Sequence, residues 1–417
     1  MSKNIQQANM LICNFCEKAK NEVNKLIVAD GAAICNECIE TCSGIITNEK
    51  YTARYKKSGI FKSLDPLRVK KYLDEFIIGQ DSAKEAISVA IINHYKRLFY
   101  NTTIELEKSN VLLHGPTGNG KTMLARIVAK FLEVPFVVCD ATTLTEAGYI
   151  GEDSSSVIER LLMAADGDLE HAERGIIFID EIDKIGRVAD AHGSVGRDVG
   201  GEGVQQSLLK ILEGGDIKVS YNDGNHKEEI DFNTKDVLFI AAGAFPDLQK
   251  IASNNANKGS TIGFASAIPD PNQVVTPKIT DFVQYGMIPE FMGRFPITIQ
   301  VKELTDHEMR RVLTEPRNNL IKQYFFYFDV DGVELEFSHD AIDAVIELTA
   351  KEKIGARGLR AIIEKVLHPH MFNLRNLKNS NVKKLTITAD TVLKQQQPIL
   401  EYHDERGIEN DTIELGS

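Results

Sequence analysis

The spacing of apolar and polar positions separates the chain into regions of different character. After about residue 65, short apolar runs alternate with segments of helical spacing. The apolar runs predict buried strands at 111–113, 136–139, 176–179 and 237–241. The helical segments lie at 83–99, 123–132 and 155–165. Strands that alternate with helices are typical of an α/β domain, in which helices cover both faces of a mostly parallel sheet.

Beyond about residue 300 the pattern becomes mostly helical. Helical spacing covers 306–324, 339–352 and 359–374, and one strand is predicted at 384–389. Near the other end, residues 48–63 are polar, basic and poorly periodic, which is typical of a linker. We therefore expect four parts, which are a small domain at 1–50, a linker at 51–65, an α/β domain at 66–300 and a mostly helical domain at 301–417.

Composition narrows the functional classes. With 417 residues, 43% hydrophobic and 26% charged, the chain is long enough for several globular domains. A net charge of −12 weighs against extensive nucleic-acid binding, which needs a basic face. The first residues show no apolar run typical of a signal peptide, and no segment has the roughly 18 apolar residues of a membrane span. A cytoplasmic protein is expected.

A glycine-rich segment between a predicted strand and a predicted helix fits G-x-x-x-x-G-K-[ST]. Its residues are Gly115, Pro116, Thr117, Gly118, Asn119, Gly120, Lys121 and Thr122. In such a loop, backbone amides and a helix N-terminus bind phosphates, Lys121 reaches the outer phosphates, and the Thr122 hydroxyl binds Mg²⁺. The alternative is a glycine-rich turn without a ligand, which the flanking elements disfavour. The predicted ATP site also includes Met123.

Two carboxylates follow the apolar run at 176–179. Asp180 and Glu181 end this predicted strand, and ligands of open α/β sheets bind at the carboxyl ends of the strands. An acid pair after a strand is often only a solvated turn. About sixty residues after a phosphate loop, however, it is typical of ATP hydrolysis. Asp180 is then expected to hold Mg²⁺, and Glu181 to polarise the attacking water.

Four cysteines near the N-terminus form two C-x₂-C pairs. They are Cys13, Cys16, Cys35 and Cys38. This spacing suits tetrahedral Zn²⁺, and a redox role is less favoured because two pairs in register suit one shared metal. The module could bind DNA, protein or neither. Residues 22–26 are not notably basic, which favours protein contacts.

Further motifs resemble those of AAA+ ATPases of the Clp/Hsp100 family. They are FIIGQ at 76–80, NHYKR at 93–97, ATTLTEAGYIGED at 141–153, FIDEIDK at 178–184, RDVGGEGVQQSLLKILEG at 197–214, PEFMGR at 289–294 and GARGLR at 355–360. The resemblance implies an AAA+ large domain with a P-loop, followed by a small helical domain and preceded by a zinc domain. It also implies ATP and Mg²⁺ as cofactors and a hexameric ring.

The resemblance assigns roles to individual residues of the ATP site. Ile77 and Ile78 would line the adenine pocket. Arg294 would be the arginine finger that one subunit offers to its neighbour's nucleotide, and Arg357 the sensor-2 arginine. Composition alone does not distinguish either arginine from the other arginines of the chain. No sensor-1 residue is assigned, because the strand after the acid pair runs into Gly243 without a polar residue.

Three further segments would contact other proteins by the same resemblance. Tyr149 and Ile150 would belong to the pore loop that grips a polypeptide, and Arg197 to a second pore-facing loop. The apolar tripeptide Ile262, Gly263 and Phe264 would dock on a ClpP-type peptidase.

The expected function is that of an ATPase that unfolds and translocates proteins, feeds them to a ClpP-type peptidase, and also acts as a chaperone. Its partners would be further copies of itself, tagged or unfolded substrates and adaptors, with neither nucleic acid nor membrane. No protease constellation is recognisable, so proteolysis is assigned to the partner. The alternatives are a remodeller without a peptidase and, less favoured, a nucleic-acid motor.

Overall fold

A computed structural model describes residues 12–29, 31–39, 41–43, 64–100, 104–145, 153–186, 201–222, 227–259, 275–352 and 355–403. The chain divides into two compact units, one formed by residues 1–65 and 95–104 and the other by residues 66–94 and 105–417. Apart from residues 64 and 65, the predicted linker lies outside the described residues. Within the ranges given above, no helix is both long enough and apolar enough to cross a membrane.

The N-terminal unit is built around a two-stranded antiparallel hairpin. Strand β1 (Leu26–Ala29) pairs with β2 (Ala32–Cys35), with Leu26 opposite Cys35 and Ala29 opposite Ala32. Gly31 has φ +83° in the connection, a left-handed conformation that glycine adopts without strain. In the described part of this unit before residue 44, the buried residues are Cys13, Ala33 and Cys35. The hairpin therefore has almost no apolar core of its own.

The strands of the second unit fall into three sheets. In chain order they are β3 (Val111–His114), β4 (Phe136–Asp140), β5 (Ile176–Asp180), β6 (Asp216–Asn222), β7 (Lys227–Asn233), β8 (Leu238–Gly243), β9 (Ile297–Gln300), β10 (Glu334–Phe337), β11 (Val382–Ile387) and β12 (Ile399–Tyr402). The largest sheet has five strands in the order β4-β5-β8-β3-β9, and its neighbouring strands pair in parallel. Strands β6 and β7 form a separate antiparallel hairpin.

The helices that lie wholly or mostly in this unit account for most of the remaining described chain. They are α1 (Pro66–Asp74), α2 (Asp81–Phe99), α3 (Lys121–Leu132), α4 (Ser154–Ala164), α5 (Leu169–Ala172), α6 (Glu202–Glu213), α7 (Leu248–Gly259), α8 (Ile279–Tyr285), α9 (Pro289–Gly293), α10 (Asp306–Thr314), α11 (Leu320–Val330), α12 (His339–Glu352), α13 (Ala356–Phe372), α14 (Leu374–Asn379) and α15 (Ala389–Lys394).

The central strands explain the apolar runs of the sequence. Every residue of β3 and β8 is buried, as is all of β5 except Asp180. A strand covered on both faces has no polar side, so it is read as a continuous apolar run rather than an alternating one. The prediction of an α/β domain with a mostly parallel sheet is confirmed.

The C-terminal region is mostly helical, as predicted, and packs around its own apolar core. Helices α10–α13 share this core with β11, which pairs in parallel with β10 and antiparallel with β12. The predicted strand at 384–389 is β11, shifted by two residues because the Thr388 side chain caps α15. Strands β10 and β12 were not predicted.

The prediction of one continuous helix over 306–324 is wrong. Helix α10 ends at Thr314, and α11 begins at Leu320. Pro316 lies between them and has no N–H group with which to continue a helical ladder. The Asn319 side chain then accepts a hydrogen bond of 2.8 Å from the Lys322 amide and so caps the new helix. The apolar spacing continues across this break, which explains the error.

The parallel pairing brings three loops to one edge of the sheet. His114 at the end of β3 is opposite Gly243 at the end of β8, and Ile179 of β5 is opposite Ala241. The glycine-rich loop, the acid pair and the turn after β8 therefore leave the sheet side by side. This edge is where ligands of open parallel sheets bind.

Candidate nucleotide site and candidate metal site

The glycine-rich loop connects β3 to α3 with a backbone that other residues would strain. Gly118 and Gly120 have φ values of +81° and +92°. Gly115 has φ +137°, and a Cβ built on it would lie 2.0 Å from the carbonyl oxygen of Val301. Only glycine fits there. The loop thus presents backbone amides and the N-terminus of α3 to the space above the sheet, an arrangement that binds phosphate.

Lys121 is held inside the loop by the loop's own carbonyl groups. Its Nζ donates to the oxygen of Gly115 at 2.7 Å and to that of Pro116 at 2.9 Å. Burial lowers the pKa of Lys121; the carboxylates of Asp180 and Asp183 oppose this shift, and the Arg357 charge adds to it. A buried cation beside free amides suits an anionic ligand, because the ligand's charge offsets the cost of burying the ammonium group.

Thr122 and Asp180 meet where α3 begins and β5 ends. The Thr122 hydroxyl donates to Asp180 Oδ2 at 3.0 Å, and both residues line the same cavity. A hydroxyl and a carboxylate are oxygen ligands, which Mg²⁺ prefers, and this cation commonly takes few protein ligands when it also binds phosphates. These two residues therefore fit a magnesium ion that accompanies a nucleotide.

Glu181 stands in an unusual backbone conformation at the end of β5. Its φ is +55°, and its amide donates to Asp180 Oδ1 at 3.0 Å. Left-handed backbone is uncommon for a residue with a side chain, and such residues cluster at functional sites. The turn leaves the Glu181 side chain exposed on the cavity wall, next to the Thr122–Asp180 pair.

These residues share one cavity of about 590 Å³, whose other wall comes from the C-terminal region. Apolar side chains form a further part of the lining. They are Ile77, Ile78, Leu304, Val312, Leu313, Leu320 and Leu359. A cavity of this size, lined by several apolar side chains and a few polar groups, suits a nucleotide whose base contacts the apolar side chains.

The segment that carries Ile77 and Ile78 is fixed from two sides. Lys84, which is buried, donates from Nζ to the Ile77 carbonyl at 3.2 Å. Gln80 exchanges two hydrogen bonds with Lys302: its Nε2 donates to the Lys302 carbonyl at 2.7 Å, and the Lys302 amide donates to its Oε1 at 2.9 Å. Lys302 lies just after β9, where the chain enters the C-terminal region.

The predicted site residues do not all reach the cavity. Arg357, in the first turn of α13, lines it together with the loop residues from Thr117 to Met123. Gly115 and Pro116 do not line it, and instead their carbonyls hold Lys121. Arg294 is also elsewhere, where its Nη2 donates to Glu213 Oε1 at 2.6 Å. The structure therefore brings most of the predicted ATP-site residues to one cavity, with Arg294 apart from it.

Asp183 is a residue of this site that the sequence did not single out. It is buried, it lines the cavity, and its Oδ1 accepts a hydrogen bond of 3.0 Å from the Ala244 amide. The turn after β5 is thereby tied to the end of β8. A possible signal was its position between Ile182 and Ile185, because an acid inside an apolar turn requires a partner.

The four cysteines predicted as metal ligands lie together. Their sulfur atoms are all within 4.8 Å of one another, with Cys13 and Cys38 at 3.8 Å and Cys16 and Cys35 at 3.6 Å. In a tetrahedral zinc site with Zn–S bonds near 2.3 Å, sulfur atoms are about 3.8 Å apart. The four thiols therefore have the spacing that Zn²⁺ requires.

Backbone groups around these cysteines also fit a metal-bound thiolate. The Cys35 amide donates to Cys13 Sγ at 3.3 Å, and the Cys38 amide donates to Cys35 Sγ at 3.4 Å. Burial acts to raise the pKa of the Cys13 thiol, but backbone hydrogen bonds, from Cys16 and Cys35 above all, lower it to about 6. Amides that donate to sulfur stabilise the charged ligand and orient it.

The predicted contacts with substrate and peptidase lie outside the described residues. This applies to the pore-loop residues Tyr149, Ile150 and Arg197, and to the docking residues Ile262, Gly263 and Phe264. Their roles remain expectations from the resemblance.

Comparison with protein families agrees with this arrangement. An AAA domain of the Cdc48 subfamily matches residues 106–298, and the C-terminal D2-small domain of ClpB protein matches residues 304–386. The chain thus contains an AAA domain with a P-loop, followed by a mostly helical region that is similar to this small domain. A third match, to the ClpX C4-type zinc finger, covers residues 11–48. Among AAA+ proteins, the chain therefore resembles ClpX.

Proposed function

We propose that the chain is an ATP-dependent protein unfoldase and translocase that feeds substrates to a ClpP-type peptidase and also acts as a chaperone. The observation that carries this proposal is the meeting of Lys121, the Thr122–Asp180 pair, Glu181 and Arg357 around one cavity. The same chain matches a ClpX-type zinc finger, and this combination favours protein substrates over nucleic acid.

Hydrolysis would use the cavity residues in separate roles. Lys121 and the loop amides bind the phosphates, and Thr122 and Asp180 hold Mg²⁺, which supplies positive charge that neutralises the phosphates when bound. Glu181 orients and polarises the attacking water, since its exposed side chain lines the cavity next to Asp180. Arg357 stabilises charge on the nucleotide of its own chain. Ile77 and Ile78 contact the base.

The position of Arg294 supports a shared active site in a ring. Its side chain is about half exposed and does not line the cavity of its own chain. An arginine supplied by a neighbouring protomer can increase the rate of hydrolysis by roughly 10³-fold to 10⁵-fold. We propose that Arg294 serves the neighbour's nucleotide in a homohexamer, with its bond to Glu213 exchanged for one to phosphate.

The remaining roles follow from the resemblance to ClpX. Tyr149 and Ile150, with Arg197 in a second loop, would contact the translocated polypeptide in the pore. Ile262, Gly263 and Phe264 would dock on the peptidase. The zinc domain would receive substrates or adaptors. We assign the zinc domain to residues 1–50, the linker to 51–65, the AAA+ large domain to 66–300 and the small domain to 301–417.

Glu181→Gln tests the catalytic assignment. ATP hydrolysis should fall at least a hundredfold because the base is lost, while ATP still binds through Lys121 and the loop amides. Turnover and the binding of a fluorescent ATP analogue are measured side by side. Glu133→Gln is the matched control, since Glu133 is also an exposed glutamate with left-handed backbone, at φ +52°, but lies outside the cavity lining. Full activity of the Glu181 variant would contradict the assignment.

A tagged fluorescent protein tests the wider function. With ATP, the purified chain should abolish its fluorescence by unfolding it, and a ClpP-type peptidase should convert the unfolded product to peptides. Deletion of 262–264 should remove only the second effect. If degradation survives the deletion, the docking assignment is wrong, and if fluorescence never falls while ATP is consumed, the unfoldase proposal is wrong.

A further inference from the structure

Asn119, in the middle of the phosphate loop, is a buried amide without hydrogen bonds. Its side chain is 3% exposed, and neither Oδ1 nor Nδ2 has a hydrogen-bond partner among the residues that the structure describes. By contrast, the buried amides of Asn110 and Gln205 in the same unit each have hydrogen bonds at both the oxygen and the nitrogen. Because most buried polar side chains in native proteins are hydrogen-bonded, this exception calls for a partner.

The start of α13 is a candidate partner. A Cβ built on Gly355 would lie 3.1 Å from Asn119 Oδ1 and 2.9 Å from the Thr117 carbonyl oxygen. Gly355 also has φ +64° and ψ −155°, a conformation essentially restricted to glycine. The glycine therefore allows the small-domain helix to approach the phosphate loop to within contact distance of the Asn119 amide.

Helix α13 begins without a capping side chain. Gly355 is its N-cap residue and has no side chain to accept from the free N–H groups of the first turn. Asparagine is among the best residues for that purpose, since its amide oxygen accepts such bonds. Arg357 lies in this same turn and lines the cavity. A bond from Asn119 to this turn would fix the arginine relative to the phosphate loop.

We propose that Asn119 is a positioning residue that caps α13 from the phosphate loop when nucleotide is bound. Phosphate contacts fix the loop amides, and with them the Asn119 side chain, so that Oδ1 accepts from the first-turn N–H groups of α13. Asn119 thereby transmits nucleotide occupancy to the helix that carries Arg357. This inference rests on the proposed ATP site and adds a route of coupling between the two domains.

Hydrogen exchange of the full-length chain, with and without saturating ADP, tests the bond directly. ADP should slow exchange at the amides of Ala356 and Arg357 in the wild type. Asn119→Leu has nearly the same shape but no acceptor, so this protection should disappear; Asn119→Asp keeps an acceptor and should retain it. Protection in the leucine variant, or its loss in the aspartate variant, would overturn the proposal, because packing alone would then explain the residue.

A double-mutant cycle supplies a second readout. Arg357→Ala should reduce kcat for ATP, and the fold reduction should be about 3–10 times smaller in the Asn119→Leu background, where the arginine is already misplaced. Asn376→Leu, at an exposed asparagine of α14, is the control background and should leave the Arg357 effect unchanged. Independent, multiplicative effects of Asn119 and Arg357 would refute the coupling.

The wild-type measurements separate this inference from the proposed function. A wild-type chain that neither binds nor hydrolyses ATP would remove the proposed function and the inference together. A wild-type chain that hydrolyses ATP but shows no nucleotide-dependent protection of α13 would remove only the inference.

Discussion

The zinc module and the ATPase unit are stabilised by different means. In the described module residues before 44, two of the three buried residues, Cys13 and Cys35, are candidate metal ligands. In the ATPase unit, β8 is buried along its whole length and belongs to a large apolar core. A short segment cannot bury enough surface to offset its conformational entropy, so a metal replaces the core.

This difference determines how each region responds to change. The stability of the zinc module should depend on its four cysteine sulfur atoms and on the zinc concentration. The ATPase unit should remain folded without zinc. Its free energy of unfolding should fall with each large apolar side chain that is removed from its core. Three experiments, from the largest expected effect to the smallest, examine this contrast.

Removal of zinc should have the largest effect, confined to the module. Structural zinc binding contributes roughly 10–16 kcal/mol of apparent free energy in small zinc domains, which exceeds what this hairpin can gain from apolar burial. A zinc-selective chelator, added with Mg²⁺ in excess, should therefore unfold residues 12–43, as seen by hydrogen exchange, while basal ATP hydrolysis continues. Protection of the hairpin without metal would show that it has another source of stability.

Phe178→Ala should have an intermediate effect, confined to the ATPase unit. Phe178 is 0% exposed in the central strand β5, and loss of a buried phenylalanine typically costs about 3–5 kcal/mol. Denaturant unfolding measures the change in the free energy of unfolding, and zinc content should stay constant. Phe372→Ala is the control, because Phe372 is 84% exposed and its removal should change stability little. Equal losses in the two variants would contradict a core-dominated unit.

Thr305→Ala should have the smallest effect. Thr305 caps α10 and forms a reciprocal box with Glu308, whose Oε2 accepts from the Thr305 amide at 2.9 Å. Loss of such a cap costs about 1 kcal/mol, measured in the same unfolding experiment. Thr305→Ser keeps the hydroxyl and should retain most of the stability. A serine variant as unstable as the alanine variant would mean that the methyl group, not the cap, matters.

The sequence predicted the polar residues of the cavity lining better than the apolar ones. Gly115–Thr122 and the Asp180–Glu181 pair are set by chemistry that demands particular residues at particular spacings. Leu320 and Leu359 of the opposite wall follow the ordinary spacing of an amphipathic helix, so nothing distinguishes them from core residues.

Two other features, a helix break and two polar contacts, could not be predicted from apolar spacing or sequence motifs. The break between α10 and α11 preserves the apolar spacing on both sides, so periodicity conceals it. The roles of Asp183 and Asn119 depend on partners 61 and more than two hundred residues away in sequence, Ala244 and Gly355. Such contacts are decided by tertiary packing, which a single sequence does not display.

The paired hydrogen bonds between Gln80 and Lys302 have a mechanical consequence. Lys302 lies at the point where the sheet domain passes into the helical one, and Gln80 is two residues from Ile78. A rotation of the helical domain that moves Lys302 and preserves both bonds must also move the segment that carries Ile77 and Ile78. A rotation that moves Lys302 but leaves this segment in place must break both bonds. While both bonds are intact, a displacement of Lys302 therefore also displaces the segment that carries Ile77 and Ile78.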